Sequence, residues 1–370
     1  MKSVLHAIML SVMSPTAVSI DLTTHPEVQT AVVTDGQGYF PVIDKAPNGR
    51  AVVVLRGGGG YLGIGGRLDL FFSKNGIVWF GKRTIVDTSA DDRNPAFGIT
   101  PKGRFFLGFH HQASYTGEGI FNRSFDLSRD MQVYSDDDGL TWSSFQNLKL
   151  GAVETTSPYG RIIRLSDGTY IQNVYGSHAP DVPGVPDRSD DIHDYAYLVR
   201  STDEGVTWGD VSLITASHNE TGLLELQDGT LLAAARDAHH GAHVDLYSST
   251  DMGRSWQHVI KATDKGQHPA DLIDLGHGTV LLIFGNRRDK ERDIRGIVSR
   301  DNGKTWDTSD QLRLTTPVIG DFGYPSAVVM GEKLLIVHYW AGSPPTVYDG
   351  SNAQCRATLI PVKAIMEAGH

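Results

Sequence analysis

Cysteine is almost absent: Cys355 stands alone among 370 residues, which excludes an internal disulfide and any metal site built from thiolates. A basic run is missing too. With 33 Lys and Arg against 43 Asp and Glu the chain carries a formal charge of -10, so nucleic acid is not an expected partner. No apolar stretch is long enough to span a bilayer, and no membrane partner is expected either. Residues 4–13, following Lys2, have the outline of a signal peptide. The run is short, carries His6 and lacks a small-x-small cleavage site, so it reads as part of the folded chain. That reading sets the cytoplasm slightly ahead of secretion. Helix signals are scarce, with residues 363–369 and part of 1–13 the only candidates.

Glycine is plentiful, at 41 residues, and falls largely at turns, as many short strands require. The centre of the pattern is residues 220–236: an apolar run, a tight Asp228-Gly229 turn, and a second apolar run ending in Arg236. Asp-Gly between strand-like runs signals a hairpin, because glycine takes the positive φ of such turns. The unit recurs at 40–56 around Asn48-Gly49, 94–110 around Lys102-Gly103, and 159–175 around Asp167-Gly168. Two more copies follow, at 268–285 around His277-Gly278 and 324–339 around Gly331-Glu332. Copies spaced by about 50 to 65 residues lie in the range of arrays and propellers.

A second motif alternates with the hairpins. Ser135-Asp-Asp137-Asp-Gly139-Leu-Thr141-Trp142 has the form S-x-D-x-G-x-T-W, and it returns around Asp203 and Asp301. A near copy surrounds Asp251, and a shortened one runs over residues 73–79. Such a segment is a turn: the Asp and Ser side chains bond nearby backbone N–H groups, glycine supplies positive φ, and the indole lies across the hairpin. Repetition argues that these aspartates are structural. Interleaved, the two repeats give four strands per unit and six units in the chain. The last unit takes its third strand from residues 356–362 and its outermost from the segment before Phe40, so both termini close the ring and remove open edges. The expected fold is all-β, a single six-bladed propeller of four-stranded antiparallel blades over residues 1–370, with blades beginning near residues 39, 93, 157, 219, 267 and 323.

In a propeller the starts of the inner strands and the ends of the second strands converge on one face. Here these positions hold Phe40, Arg93-Asn94, Tyr159, Glu220, His268 and Tyr324, then Arg56, His110-His111, Tyr175, Arg236, Arg287-Arg288 and Tyr339. Several guanidinium forks around one mouth suit an anionic ligand. Two other features carry no such signal. His239-His240-Gly-Ala-His243 has no acidic or cysteine partner at regular spacing, so it reads as a loop and not a metal site. The glycine-rich stretch 57–60 precedes no helix and is not a phosphate loop. No metal or cofactor is expected.

The S-x-D-x-G-x-T-W segments resemble the Asp-boxes (BNR repeats) of the sialidase superfamily, and that resemblance also implies a six-bladed propeller. In exo-sialidases a Glu opens the inner strand of the fourth blade and an Arg ends the next, which match Glu220 and Arg236. The family's nucleophilic tyrosine opens the last inner strand and matches Tyr324 in Gly323-Tyr-Pro-Ser326. A further family arginine falls in the fifth blade, where Arg288 and Arg295 are candidates. The resemblance thus implies a Tyr nucleophile with Glu as its base, acting on a sugar that carries its own carboxylate. On the bland reading, Tyr324 is a packed strand-start aromatic and Glu220 a structural partner of Arg236.

Two departures stand out. The family's Tyr-Arg-Ile-Pro segment reads Tyr39-Phe40-Pro41 here, and the loop that should hold the acid/base Asp, residues 57–66, contains no acid. Arg56 is the candidate for the missing cation; His110, Asp92, Asp237 and His268 are candidates for the missing acid. Tyr339, Tyr175 and Phe40 complete the expected wall. The leading expectation is an exo-glycosidase acting on an acidic-sugar glycan. Two alternatives stay open: a lyase or hydrolase of uronate-containing polysaccharide using His and Tyr, and a sugar-binding propeller without catalysis.

Overall fold

The computed structural model describes residues 18–125, 127–148, 156–179, 181–187, 189, 194–288, 292–342 and 353–368. The helix candidate in residues 1–13 lies outside them. In chain order the strands are β1 (Val18–Asp21), β2 (Gln29–Asp35), β3 (Tyr39–Lys45), β4 (Ala51–Gly57), β5 (Arg67–Ser73) and β6 (Trp79–Val86). Next come β7 (Asp91–Ile99), β8 (Phe105–Gln112), β9 (Arg129–Ser135), β10 (Gln146–Asn147), β11 (Thr156–Arg164), β12 (Tyr170–Gly176), β13 (Tyr195–Ser201) and β14 (Gly209–Ala216). They are followed by β15 (His218–Glu225), β16 (Leu231–Asp237), β17 (Val244–Ser249), β18 (Gln257–Lys261), β19 (Gln267–Gly276) and β20 (Thr279–Asn286). The last are β21 (Asp293–Ser299), β22 (Gln311–Arg313), β23 (Phe322–Met330), β24 (Lys333–Trp340) and β25 (Gln354–Pro361). One short helix, α1 (Val362–Glu367), ends the described chain.

Each hairpin expected from the sequence is an antiparallel pair: β3–β4, β7–β8, β11–β12, β15–β16, β19–β20 and β23–β24. In the β15–β16 turn the Gly229 amide donates to the Leu226 carbonyl at 2.9 Å with φ at 83°, a conformation that costs a side chain-bearing residue strain. The sheets make an all-β, propeller-like arrangement. The inner strands β3, β7, β11, β15, β19 and β23 touch in chain order, and β23 returns to β3. The sheets number five among the described residues, because β7 and β11 pair in parallel and fuse two antiparallel runs into one eight-stranded sheet.

Both ends of the described chain are woven in. β2 pairs antiparallel with β25, so an early segment completes the sheet of β23 and β24, while β1 adds in parallel to the short β22. Apolar side chains of neighbouring sheets meet between them: Val52, Val54 and Phe72 with Phe97 and Leu107, for example, and Leu232 and Leu246 with Leu272 and Phe284. A central strand such as β4 is therefore buried on both faces.

The S-x-D-x-G-x-T-W segments are side-chain-stapled turns at the end of the molecule where the hairpin turns lie. Asn302 donates its amide to Gly278, and Arg50 reaches Asp138 at 2.8 Å. In the Asp251 copy the carboxylate accepts the Arg254 and Ser255 amides at 2.9 Å, Ser249 Oγ at 2.7 Å and Ser255 Oγ at 2.6 Å. The Trp256 indole N–H donates to Gly253 at 3.2 Å. Since strand ends, not these turns, meet at the mouth, Asp251→Ala is expected to lower the melting temperature by roughly 1–3 °C. Ligand binding by the folded fraction should stay unchanged; a loss of binding at an unchanged melting temperature would contradict the assignment.

Candidate active site

Every inner strand slips register at its beginning, between Tyr39 and Val42, Arg93 and Ala96, Tyr159 and Ile163, His218 and Thr221, Gln267 and Ala270, and Gly323 and Ser326. Four of these breaks carry a proline: Pro41, Pro95, Pro269 and Pro325. Proline has no ladder donor to lose, so it sits well at a bulge, and the bulge re-aims the residue before it. Phe40, Asn94 and Tyr324, each before a proline, have φ of 51°, 48° and 55°. Positive φ in bulky residues is rare and marks positions held by their surroundings for a purpose.

These turned residues meet at the mouth. The Tyr324 hydroxyl donates to Glu220 Oε1, and Arg236 Nη1 donates to Glu220 Oε2 at 2.5 Å. Tyr324 and Glu220 are both buried, at 8% and 5% exposure, so the chain of contacts operates largely out of water. Phe40 packs on Tyr324 with centroids 4.8 Å apart, and Tyr339 and Tyr159 follow at 5.8 and 6.1 Å. Burial, with the Glu220 charge second, holds the Tyr324 phenol well above the usual tyrosine range. The proton therefore stays on Tyr324 until a base takes it, and Glu220 is in contact to do so. For Arg236 burial works against the charge, but Glu220 and Tyr324 more than offset it and the guanidinium stays charged.

A second cation stands opposite. Arg287 Nη2 donates to Asp321 Oδ1 and lies 3.2 Å from the Tyr339 hydroxyl, which itself donates to Asp321 Oδ2 at 2.8 Å. A third is Arg93, whose guanidinium carbon lies 5.5 Å from the Phe40 ring centroid and 5.6 Å from that of Tyr61. His268 shares the cluster. Burial first, then the charges of Arg236 and Arg287, push its pKa down to about 2, so it is a neutral imidazole. Tyr175 accepts Asn94 Nδ2 at 3.3 Å, and burial, then the Glu220 charge, pushes its phenol above the usual tyrosine range.

Of the residues expected from the sequence, Glu220, Arg236, Tyr324, Tyr339, Tyr175, Phe40 and His268 are brought together. Arg56 is not a ligand group. It is wholly buried, bonded to Asp91 Oδ1 through Nε at 2.8 Å and Nη2 at 2.6 Å, and it also donates to the Gly59 and Gly60 carbonyls. Arg295 is packed against Asp293 and Gln311, and Arg288 pairs with Asp264 at 2.7 Å; neither contacts Glu220 or Tyr324. Asp92 accepts the Thr88 amide and lies 3.0 Å from His111 Nδ1, while Asp237 accepts the amides of His239 and His240. His110 Nδ1 is 2.9 Å from the Thr156 carbonyl, and burial, then Arg93, lowers its pKa to about 4.

Sequence reasoning ranked Arg288 over Arg287 and passed over Tyr61 and Asp321. Counting by twos from Gly285, the last but one residue of β20, puts 287 on the same face and 288 on the other, a signal available in the strand period. Nothing comparable marks Tyr61, because its loop has no periodicity.

Beside His110, Asp130 is buried and its pKa is pushed up to about 8 by burial, against hydrogen bonds from Thr156 Oγ1 and Gln132 Nε2, both at 3.2 Å. Unfolded, this carboxyl ionises near 3.8. Between those two values the unfolded chain gives up the proton while the folded one keeps it, so stability falls as pH rises through the window. Asp130→Asn is therefore expected to raise the melting temperature more at pH 8 than at pH 5, by roughly 2–5 °C. An equal effect at both pH values in thermal scans contradicts this.

The BNR repeat-like domain family matches residues 70–337. A sialidase of Bacteroides fragilis (strain YCH46) is 30% identical over 292 residues, covering 74% of this chain and 50% of that protein. The chain spans half or less of the length of the curated sialidases it matches. Among solved structures, a Dyadobacter fermentans DSM 18053 protein of unknown function superposes with a TM-score of 0.68 at 18% identity, covering 91% of this chain and 99% of that one. The Hadza microbial sialidase Hz136 gives 0.66 at 19% identity, covering 89% and 66%. At these identities the structural likeness is one of fold.

Proposed function

Since the chain belongs to the BNR repeat-like family and carries the fold of the sialidase superfamily, we propose that it is an exo-glycosidase that hydrolyses a terminal acidic sugar, sialic acid or a close relative, from a glycan. The observation that carries this reading is the contact chain Tyr324–Glu220–Arg236 at the mouth of the inner-strand ring. A carboxylate nucleophile would be repelled by a carboxylate beside the anomeric carbon, whereas a neutral phenol is not. In the first step Tyr324 Oη bonds to the anomeric carbon as the bond from that carbon to the aglycone oxygen breaks, the aglycone departs and Glu220 takes the phenol proton. Arg236, Arg287 and Arg93 hold the sugar's carboxylate. Water then displaces Tyr324 and the sugar leaves with its configuration retained.

In the same reading the eight-stranded sheet counts as two blades, so the domain is one six-bladed propeller with its last blade completed by β2. Closure of the inner strands in chain order supports that count. The reading is tested with an aryl α-sialoside: phenol release with retention at the anomeric carbon, followed by proton NMR, is the expected result. An unsaturated, ultraviolet-absorbing product from a uronate polysaccharide would instead make the protein a lyase. Affinity for acidic sugars without product would make it a binding propeller.

A further inference from the structure

The glycosidase reading leaves one chemical need unmet: a proton for the departing aglycone oxygen. The acids considered from the sequence do not hold one at the mouth. His268 is a neutral imidazole, His110 spends Nδ1 on the Thr156 carbonyl, and the carboxylates of Asp92 and Asp237 accept backbone amides. The loop between β4 and β5 borders the mouth through the contact of Tyr61 with Phe40. Its only side chains other than hydrogen are Tyr61, Leu62 and Ile64, so Tyr61 supplies its one hydroxyl.

The loop is built to hold that tyrosine inward. Arg56, buried beneath it, donates to the carbonyls of Gly59, Gly60 and Gly63, and Asp91 accepts the Gly63 amide at 3.3 Å. Asp91 also takes the Tyr115 hydroxyl at 2.7 Å and lies 3.4 Å from Arg93 Nη1, so one buried carboxylate fixes the loop and the neighbouring cation together. The Tyr61 ring consequently lies edge-on to Phe40 and Tyr39, with centroids at 5.5 and 5.9 Å. Phe40 is thus flanked by Tyr324 on one side and Tyr61 on another, with Arg93 over both Phe40 and Tyr61.

We propose that Tyr61 is the general acid and base of this site, a role that rests on the glycosidase reading. As the bond from the anomeric carbon to the aglycone oxygen breaks, its electron pair stays on that oxygen and the Tyr61 hydroxyl proton moves to it. Tyr61 is left as a phenolate facing the Arg93 guanidinium. In the second half, the attacking water gives its proton to that phenolate as its oxygen bonds to the anomeric carbon. Tyr324 leaves and recovers its proton from Glu220, and every group returns to its starting state. Burial and the Glu220 charge raise the Tyr61 phenol while Arg93 and Arg287 lower it, and the net rise keeps the proton in place at neutral pH.

Tyr61→Phe keeps the ring and removes only the proton. With an aryl α-sialoside whose phenol leaves readily, kcat/KM, which reports the half-reaction that releases the aglycone, is expected to fall less than about tenfold. With an alkyl aglycone, which leaves only when protonated, it should fall by about 100-fold or more. A merely structural role would depress both substrates alike, and equal falls, or no fall, overturn the assignment. Melting temperature is read alongside, and Tyr61→His, which restores a transferable proton, should recover part of the alkyl activity. A wild-type protein that releases no phenol from the aryl sialoside overturns the glycosidase reading itself, and Tyr61 with it. Wild-type turnover with an indifferent Tyr61→Phe overturns Tyr61 alone.

Discussion

Tyr324→Phe should abolish turnover, by roughly 1,000-fold or more, while the melting temperature stays close to that of the wild type and acidic-sugar binding survives. The change removes one oxygen from a ring that keeps its contacts with Phe40, Tyr159 and Tyr339. What it deletes is the hydroxyl in contact with Glu220, and with it the only atom that can form the bond to the anomeric carbon in this scheme. Glu220 keeps Arg236 as partner, so the variant leaves no uncompensated buried charge. Steady-state kinetics with an aryl sialoside, beside a binding titration with the free sugar, separate the two effects. Wild-type turnover in Tyr324→Phe would move the nucleophile to water.

Arg236→Ala is expected to act on binding. Loss of a desolvated guanidinium that grips a carboxylate should weaken the acidic sugar by about 2–4 kcal/mol, roughly 30- to 1,000-fold in Kd. Glu220 loses its partner in this variant and stability falls as well, so affinity is measured by calorimetry on the folded fraction. Arg288→Ala serves as the contrast. Its guanidinium is engaged with Asp264, and its removal should change Kd by less than about threefold. Equal losses in the two variants would mean that the anion is not held at the Glu220 end of the mouth.

Much of the fold was legible because its signals are local. The Asp228-Gly229 turn and the alternation on either side of it specify β15 and β16 without reference to the rest of the chain, and the same holds for the five sister hairpins. The meeting of Glu220, Arg236 and Tyr324 was legible for a related reason: each stands at a strand end, and strand ends converge. The cations were harder. Arg56 and Arg236 occupy equivalent places seven residues beyond their turn glycines, and only the buried Asp91 makes the first a brace for the loop. Arg93 rests on Phe40 from the neighbouring sheet, a contact between two strands that no single-strand pattern records. The parallel seam between β7 and β11 and the addition of β1 to β22 depend on how finished sheets lie beside each other, which local periodicity does not encode.

The pairing of β2 with β25 has a consequence in time as well as in space. Asp35 and Gln354 are neighbours in that sheet, yet more than three hundred residues of synthesis separate them. During translation six hairpins can form as they emerge, each from contacts within about twenty residues, whereas β2 must wait for almost the whole chain before it finds its partner. Loop-closure entropy grows only slowly with separation, so the delay is chiefly kinetic. Until β25 arrives, β2 is an unpaired strand with a free edge, open to pairing with another nascent chain. Premature termination between β24 and β25 would release a molecule with most of its sheets but with β2 unpaired, and aggregation during expression should concentrate in such products.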